Sequence, residues 1–255
     1  MHELQPLDVL PALASLARGP SAAGEGGALQ ARAVLRGLLR GLIVARLRRW
    51  LGPASIPRLV ELGCGRGVWA LRYLALAEHV VGVEPDPRLV VEARRAAWQA
   101  RAGGRAVFLR LGLEQFTRYQ GARLVCLGRP LQAFSAGELT RLLERVVDGL
   151  GPGGRLYVRA RLASALARRG SPGVTRGALL ARLDALGLEL EDEFFAAALL
   201  PGAALDALGQ LPSELAPRLT TTFWESLPGA RPGGRDCHLL LRVRATAQPA
   251  LALAG

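Results

Sequence analysis

The segment Leu59-Val60-Glu61-Leu62-Gly63-Cys64-Gly65-Arg66-Gly67 constrains the fold of this chain more than any other. An apolar run that ends in glycines at alternate positions, followed at once by a helical pattern over 68–77, reads as a buried strand turning sharply into a helix. Glycines in such a turn let backbone approach a ligand closely, and the turn aims N–H groups at it. The alternation continues downstream. Strands are expected at 79–84, 106–111, 123–127 and 154–160, and helices at 88–101 and 136–150. The last of these helices carries Leu139, Leu142, Leu143, Val146 and Val147 on one side, and the turn Gly151-Pro152-Gly153 follows it. Strands alternating with helices predict βαβ units, and right-handed crossovers put helices on both faces of the sheet. The expected fold class is therefore α/β, a doubly wound, mainly parallel sheet, seven-stranded with the two strands expected downstream at 188–195 and 237–245.

Beyond this region the pattern is less regular. A helix is expected at 176–186, a strand at 188–195, and a last strand at 237–245. Short helical pieces broken by Pro212 and Pro217 suggest a helical insertion at about 198–222. Upstream, residues 1–27 end in a Gly/Ser/Ala run that reads as a flexible segment, and residues 28–57 form a helical extension. In that extension Arg32, Arg36 and Arg40 share one face, while Leu35, Leu38, Leu39, Leu42 and Ile43 line another. The main domain is expected at 58–246, with a tail at 247–255.

Charge bears on partners. The chain has a formal net charge of +12, and every one of its 33 basic residues is arginine. Lysine and asparagine are absent, and isoleucine occurs only at Ile43 and Ile56, a pattern that codon bias in a GC-rich genome explains. A basic surface attracts nucleic acid, acidic metabolites or anionic membrane without specifying any of them. Three cysteines with no C-x-x-C pair argue against a disulfide framework or a zinc site and fit a reducing cytoplasm. No basic region followed by an apolar core opens the chain, so no secretory signal is expected. The most apolar stretch, 34–51, carries five arginines, too many for a membrane span.

Two nucleotide-like ligands compete for the glycine turn. A dinucleotide asks for G-x-G-x-x-G and room for a pyrophosphate. Here the spacing is G-x-G-x-G, with Val68 where the third glycine would stand. Glu61, two residues before the first glycine, suits a cationic amino-acid group and would repel pyrophosphate. Glu84 ends the next strand, where a carboxylate can accept hydrogen bonds from both hydroxyls of a ribose.

These residues resemble motif I of the class I S-adenosylmethionine-dependent methyltransferases, in its E-x-G-x-G-x-G form at 61–67. Glu84 is similar to that family's ribose-holding acid, and Leu150-Gly151-Pro152-Gly153-Gly154-Arg155-Leu156 resembles its L-x-P-G-G-x-L turn before the fifth strand. The resemblance covers about 58–160. It implies a Rossmann-like methyltransferase fold and S-adenosyl-L-methionine as cofactor. By position, Glu61, Gly63, Gly65 and Gly67 would hold the methionine part and Glu84 the ribose. Pro85 and Asp86 would flank the adenosine, Gly112, Leu113 and Glu114 would line the adenine, and Leu127 would close the site at the fourth strand. Many relatives carry an aspartate directly after that glycine; this chain has Leu113, which leaves open whether Glu114 replaces it.

The methyl acceptor is less marked. Methyl transfer from a sulfonium is an in-line displacement in which the protein mainly orients and desolvates, so catalytic side chains are weakly specified. After the fourth strand the chain reads Cys126-Leu127-Gly128-Arg129-Pro130-Leu131, with neither an [Asp/Asn/Ser]-Pro-Pro-aromatic motif nor a Pro-Cys nucleophile. Cys64 and Cys126 read as small core residues. Arg129 stands where open α/β sheets bind ligands and suits a carboxylate or phosphate, though an exposed arginine would look the same. His2 falls in a terminus expected to be disordered, His79, His238 and Trp69 read as structural, and no catalytic base or metal site is assigned. A small-molecule acceptor is the leading expectation. The alternatives are an RNA or protein methyltransferase using the arginine-rich surface, or a non-catalytic cofactor-binding or scaffold protein.

Overall fold

The computed structural model describes residues 40–128, 134–163, 176–195 and 234–245. The segment expected to be flexible (1–27), the first part of the expected helical extension (28–39), the insertion expected at 198–222 and the tail at 247–255 lie outside the described residues, as does Arg129. The chain divides into two compact units. One comprises 54–160, 174–193 and 238–255; the other comprises 1–53, 161–173 and 194–237.

In the second unit, helix α1 is described over 40–51. Ile43 and Leu47, four residues apart, are its buried residues, and Arg49 is exposed. This is one apolar stripe, as the periodicity predicts. Arg46 sets its guanidinium 5.9 Å from the centroid of the Phe194 ring.

In the first unit, β1 (Ile56–Leu62) runs through the glycine turn into the short helix α2 (Val68–Tyr73). Then come β2 (Ala77–Glu84), α3 (Pro87–Gln99), β3 (Ala106–Arg110), β4 (Ala122–Leu127), α4 (Ala136–Leu150), β5 (Arg155–Ala163), α5 (Arg176–Ala185), β6 (Leu188–Phe195) and β7 (Gly234–Val243), of which 161–163, 194–195 and 234–237 are assigned to the second unit. The strands and helices expected between 59 and 195 and at 237–245 are present, with shifts at the ends. Helix α2 stops at Tyr73, short of the expected 77, because Ala77 already pairs with Ile56 in the sheet. Strand β1 starts three residues before the expected 59 for the same reason.

Local chemistry explains several boundaries. Asp86 caps α3 by accepting from the Arg88 N–H at 2.8 Å, with Pro87 in the first turn. Ser135 and Glu138 cap α4 reciprocally, the Ser135 N–H donating to Glu138 Oε2 at 2.8 Å. The side of α4 expected to face the core does so, with Leu139, Leu142, Leu143 and Val146 buried.

The seven strands form one sheet in the order β3-β2-β1-β4-β5-β7-β6. Strands β1, β2, β3, β4 and β5 are parallel. The end of β7 meets the start of β5, with Gly153 N–H donating to Val243 O at 3.0 Å, so β7 runs opposite. This is the expected doubly wound, mainly parallel sheet. The chain winds outward from β1 to β3 and then returns to β4 on the other side of β1. The order therefore reverses between β1 and β4, where open α/β sheets leave a crevice at the carboxyl ends of their strands. Toward the crevice both strands are buried, at 59–62 and 124–127, as central parallel strands are, and Glu61 is the charged residue of those buried stretches.

Candidate functional site

The site is built at that crevice. The glycine turn folds back on the end of β2: Gly63 and Cys64 both donate N–H to Val83 O, at 2.8 and 3.0 Å, and Gly67 N–H returns to Cys64 O at 3.0 Å. Gly67 has φ +73°, and a Cβ there would lie 2.8 Å from the Phe108 ring, so a side chain is excluded by both conformation and space.

Glu84 is buried at the end of β2 and ties the turn in place. Its Oε2 accepts from Gly65 N–H at 2.9 Å, and its Oε1 accepts from Asp86 N–H at 3.2 Å. One carboxylate thus joins the glycine turn to the cap of α3. The carboxylate expected to meet a ribose also organises the loop around it.

Glu61 is 1% exposed. Its Oε2 has no hydrogen-bond partner among the described residues. Burial pushes its carboxyl up to about 8; the Arg159 charge and the Ala70 N–H act against this, and the nearby Glu84 adds to it. A buried carboxylate with an oxygen lacking a donor is costly, and its two remedies are a proton or a cation. Glu61 can therefore receive a ligand ammonium.

Gly128, directly after β4, closes the other side. Its N–H donates to Leu62 O at 2.8 Å. A Cβ on it would sit 2.2 Å from Gly63 O and 3.1 Å from Glu61 Oε1, so the two strand ends approach as closely as backbone allows. From β5, Arg159 donates through its guanidinium to the Gly128 carbonyl and lies 6.0 Å from the centroid of the Trp69 ring. Trp69 stacks on Tyr73 at 5.8 Å, in keeping with the packing role expected of it.

The structure brings Glu61, Gly63, Gly65, Gly67 and Glu84 into one cradle, with buried Leu127 at the end of β4. Pro85 follows Glu84 and is exposed. Gly112, Leu113 and Glu114 follow β3, the strand next to β2. Leu113 is buried in a short 3-10 turn, while Glu114 is exposed with its carboxylate folded over Gly112. The Glu114 carbonyl accepts from the Arg145 guanidinium.

Other candidates prove to be structural. His238 is buried in β7, its Nδ1 2.7 Å from the Tyr157 hydroxyl; burial, aided by the Arg159 charge, holds its pKa down at about 3. Burial pushes the Cys64 and Cys126 thiols up, away from the thiolate a nucleophile needs. No group of three or more metal-ligating side chains occurs among the described residues.

Sequence reasoning passed over Gly128 and Arg159. Arg159 looked like one arginine among 33. Parity along β5 could have found it, because Tyr157 is in register with Cys126, and Cys126 with Glu61; Arg159, two residues on, shares that face.

Residues 59–154 match a family model described as a methyltransferase domain. No curated protein sequence matches the chain. Solved structures match with low identity and so speak to the fold. A [4+2]-cyclase, SpnF, has a TM-score of 0.58 and 18% identity, with 84% of this chain and 81% of that one covered. A geranyl diphosphate methyltransferase in complex with SAM has a TM-score of 0.57 and 16% identity over 88% and 94%. The geranyl diphosphate C-methyltransferase of Streptomyces coelicolor A3(2), solved with Mg2+, geranyl diphosphate and S-adenosyl-L-homocysteine, has a TM-score of 0.55 and 16% identity over 78% and 77%.

Proposed function

We propose that this chain, whose residues 59–154 match a methyltransferase domain, is a class I S-adenosylmethionine-dependent methyltransferase that transfers a methyl group to a small-molecule acceptor by in-line displacement. The observation that carries the site is the buried Glu61 carboxylate, with one oxygen unpartnered, beside a glycine turn that Glu84 ties down. When bound, S-adenosylmethionine supplies an electrophilic methyl group on a sulfonium. The residues fit it. Glu61 takes the methionyl ammonium, and the backbone of Gly63, Gly65 and Gly67 allows close approach. Glu84 takes the ribose hydroxyls, with Pro85 alongside. Gly112 and buried Leu113 line the adenine, and Glu114, folded over Gly112, meets its exocyclic amine. Leu127 closes the site from β4. No side chain is assigned as a base. The protein's contribution is orientation and exclusion of water.

Three considerations support a small acceptor. The chain after β4 lacks the motifs of base-modifying enzymes. Similar folds include methyltransferases named for geranyl diphosphate. The sequence shows no RNA-binding module. No helix among the described residues is long and apolar enough to cross a membrane. Three free, buried cysteines support a reducing cytoplasm as its location.

Calorimetric titration with S-adenosylmethionine and S-adenosylhomocysteine, at low and moderate salt, tests the cofactor site. Micromolar binding of both, followed by transfer of labelled methyl to a member of a small-molecule panel, is expected. Methyl transfer only to RNA, with affinity falling steeply as salt rises, would replace the small-molecule reading. Binding with no transfer to any acceptor would favour a non-methylating role, as fold alone does not decide chemistry.

Glu84→Ala should weaken S-adenosylhomocysteine binding by about 1.5–3 kcal/mol, the range for hydrogen bonds to a charged group. An analogue lacking both ribose hydroxyls separates the ribose contact from the loop's own need for Glu84. Wild type should bind it more weakly than the parent ligand, and Glu84→Ala should bind the two alike. A preserved preference in the variant would remove Glu84 from the ribose.

A further inference from the structure

We propose that Arg159 is a positioning residue for the cofactor site: tethered to the Gly128 carbonyl and laid against the Trp69 ring, its guanidinium favours the charged form of the Glu61 carboxylate, the form that receives the ligand's ammonium. The inference rests on the reading that Glu61 receives that ammonium.

The placement follows from the sheet. Glu61, Cys126 and Tyr157 stand in register across β1, β4 and β5, and Arg159 lies two residues further along β5 on the same face. Its side chain reaches over the end of β4 to the Gly128 carbonyl. Gly128 is also where Glu61 Oε1 approaches, within 3.1 Å of the Cβ a side chain would have. The Trp69 ring holds the guanidinium from the side of α2. A planar cation with five donors, fixed at two points, keeps its direction better than a free one.

The charges around Glu61 leave Arg159 a distinct role. Glu84, at the end of β2, disfavours a second negative charge. Cys64 beyond β1, Tyr73 on α2 and Cys126 on β4 surround it as neutral groups whose ionisation burial suppresses. His238 on β7 is held neutral, partly by Arg159 itself. Burial is the largest influence on Glu61 and favours the protonated form; Arg159 is the largest influence opposing it, ahead of the Ala70 N–H. Without Arg159, Glu61 would hold its proton to higher pH, and ligand binding would have to expel it.

The readout is the proton inventory of binding. S-adenosylhomocysteine is titrated calorimetrically from pH 6 to pH 9.5 in buffers of different ionisation enthalpy, so that both affinity and protons released are obtained. The ligand's own amine is common to every variant. Wild type should release most of a proton near neutral pH, with affinity rising toward an inflection set by Glu61. In Arg159→Met the inflection should move up by about one pH unit, with affinity at pH 7 falling about tenfold, the smallest shift expected for losing an adjacent opposite charge. Arg159→Lys should return it most of the way. Thermal melts of each variant verify folding. A purely packing role would lower affinity equally at every pH and leave the inflection in place. That result overturns the proposal if Glu61→Gln still abolishes proton release. Proton release that persists in Glu61→Gln overturns both the proposal and the reading of Glu61 beneath it.

Discussion

Gly128→Ala should cost about 3 kcal/mol or more, roughly 6–12 °C in melting temperature for a chain of this size, and should remove most cofactor affinity. The added methyl would meet Gly63 O at 2.2 Å and Gly63 C at 2.9 Å. Both obstacles are backbone, so no side chain can swing away. The strands cannot separate either without breaking the Gly128 N–H bond to Leu62 O. Relief would displace Gly63, and with it the glycine turn and the surroundings of Glu61. Gly65→Ala is the comparison. Its Cβ would meet nothing within 4 Å, but the residue has φ +54°. The cost there is one left-handed residue, about 1–2 kcal/mol. Thermal melts and calorimetric titrations of both variants check the order. A Gly128→Ala protein that melts with wild type, or above Gly65→Ala, would show that the β1–β4 approach is not as tight as described.

Glu61→Gln should weaken S-adenosylhomocysteine by about 1.5–3 kcal/mol at pH 8.5 while making the ligand-free protein more stable than wild type there. The amide keeps the size of the side chain and can still accept from the Ala70 N–H, but carries no charge to desolvate. The pH window follows from the direction of the shift. Burial raises the Glu61 carboxyl from an ordinary 4.5 to about 8, so the folded chain holds this proton more tightly than the unfolded one. The stability linked to the proton is fully present below about 4.5 and is lost as pH rises through about 8. Glu61→Gln has no such loss. Its melting temperature relative to wild type should therefore climb between pH 5 and pH 8.5 without ligand, and the advantage should shrink when ligand is added. A difference that stays flat across this range would mean that Glu61 ionises as an exposed carboxylate does.

The half of the candidate site proposed for the cofactor was legible because it is local in the chain. Glu61, the three glycines and Glu84 fall within 24 consecutive residues of one strand–turn–helix–strand unit. In such a unit, glycine spacing and strand ends already say which groups meet. Helix α4 was legible for a similar reason: its apolar spacing and the glycine turn after it agree on the same limits, and the structure adds the Ser135 cap. Edges set by pairing between strands were less so. Nothing in Ile56-Pro57-Arg58 marks a strand, yet Ile56 and Arg58 pair with Ala77 and His79. On the side proposed for the adenine, Gly112 and Leu113 were expected by position, while the fold of the Glu114 carboxylate over Gly112 came only with the tertiary structure.

The residues alone were enough to specify a mainly parallel sheet, a glycine turn at the end of its first strand and the two acids that flank it, because periodicity and turn chemistry act over a few neighbouring residues. The roles of Gly128 and Arg159 came only with the folded chain. Their partners, Gly63 and Glu61, lie tens of residues away in sequence, and only the strand order, which sets β4 beside β1 and β5 beside β4, brings them within reach. That order also turns Glu61 from one acid among 21 into a buried charge with an unsatisfied oxygen. Burial is a property of what packs around a residue, and no stretch of sequence contains it.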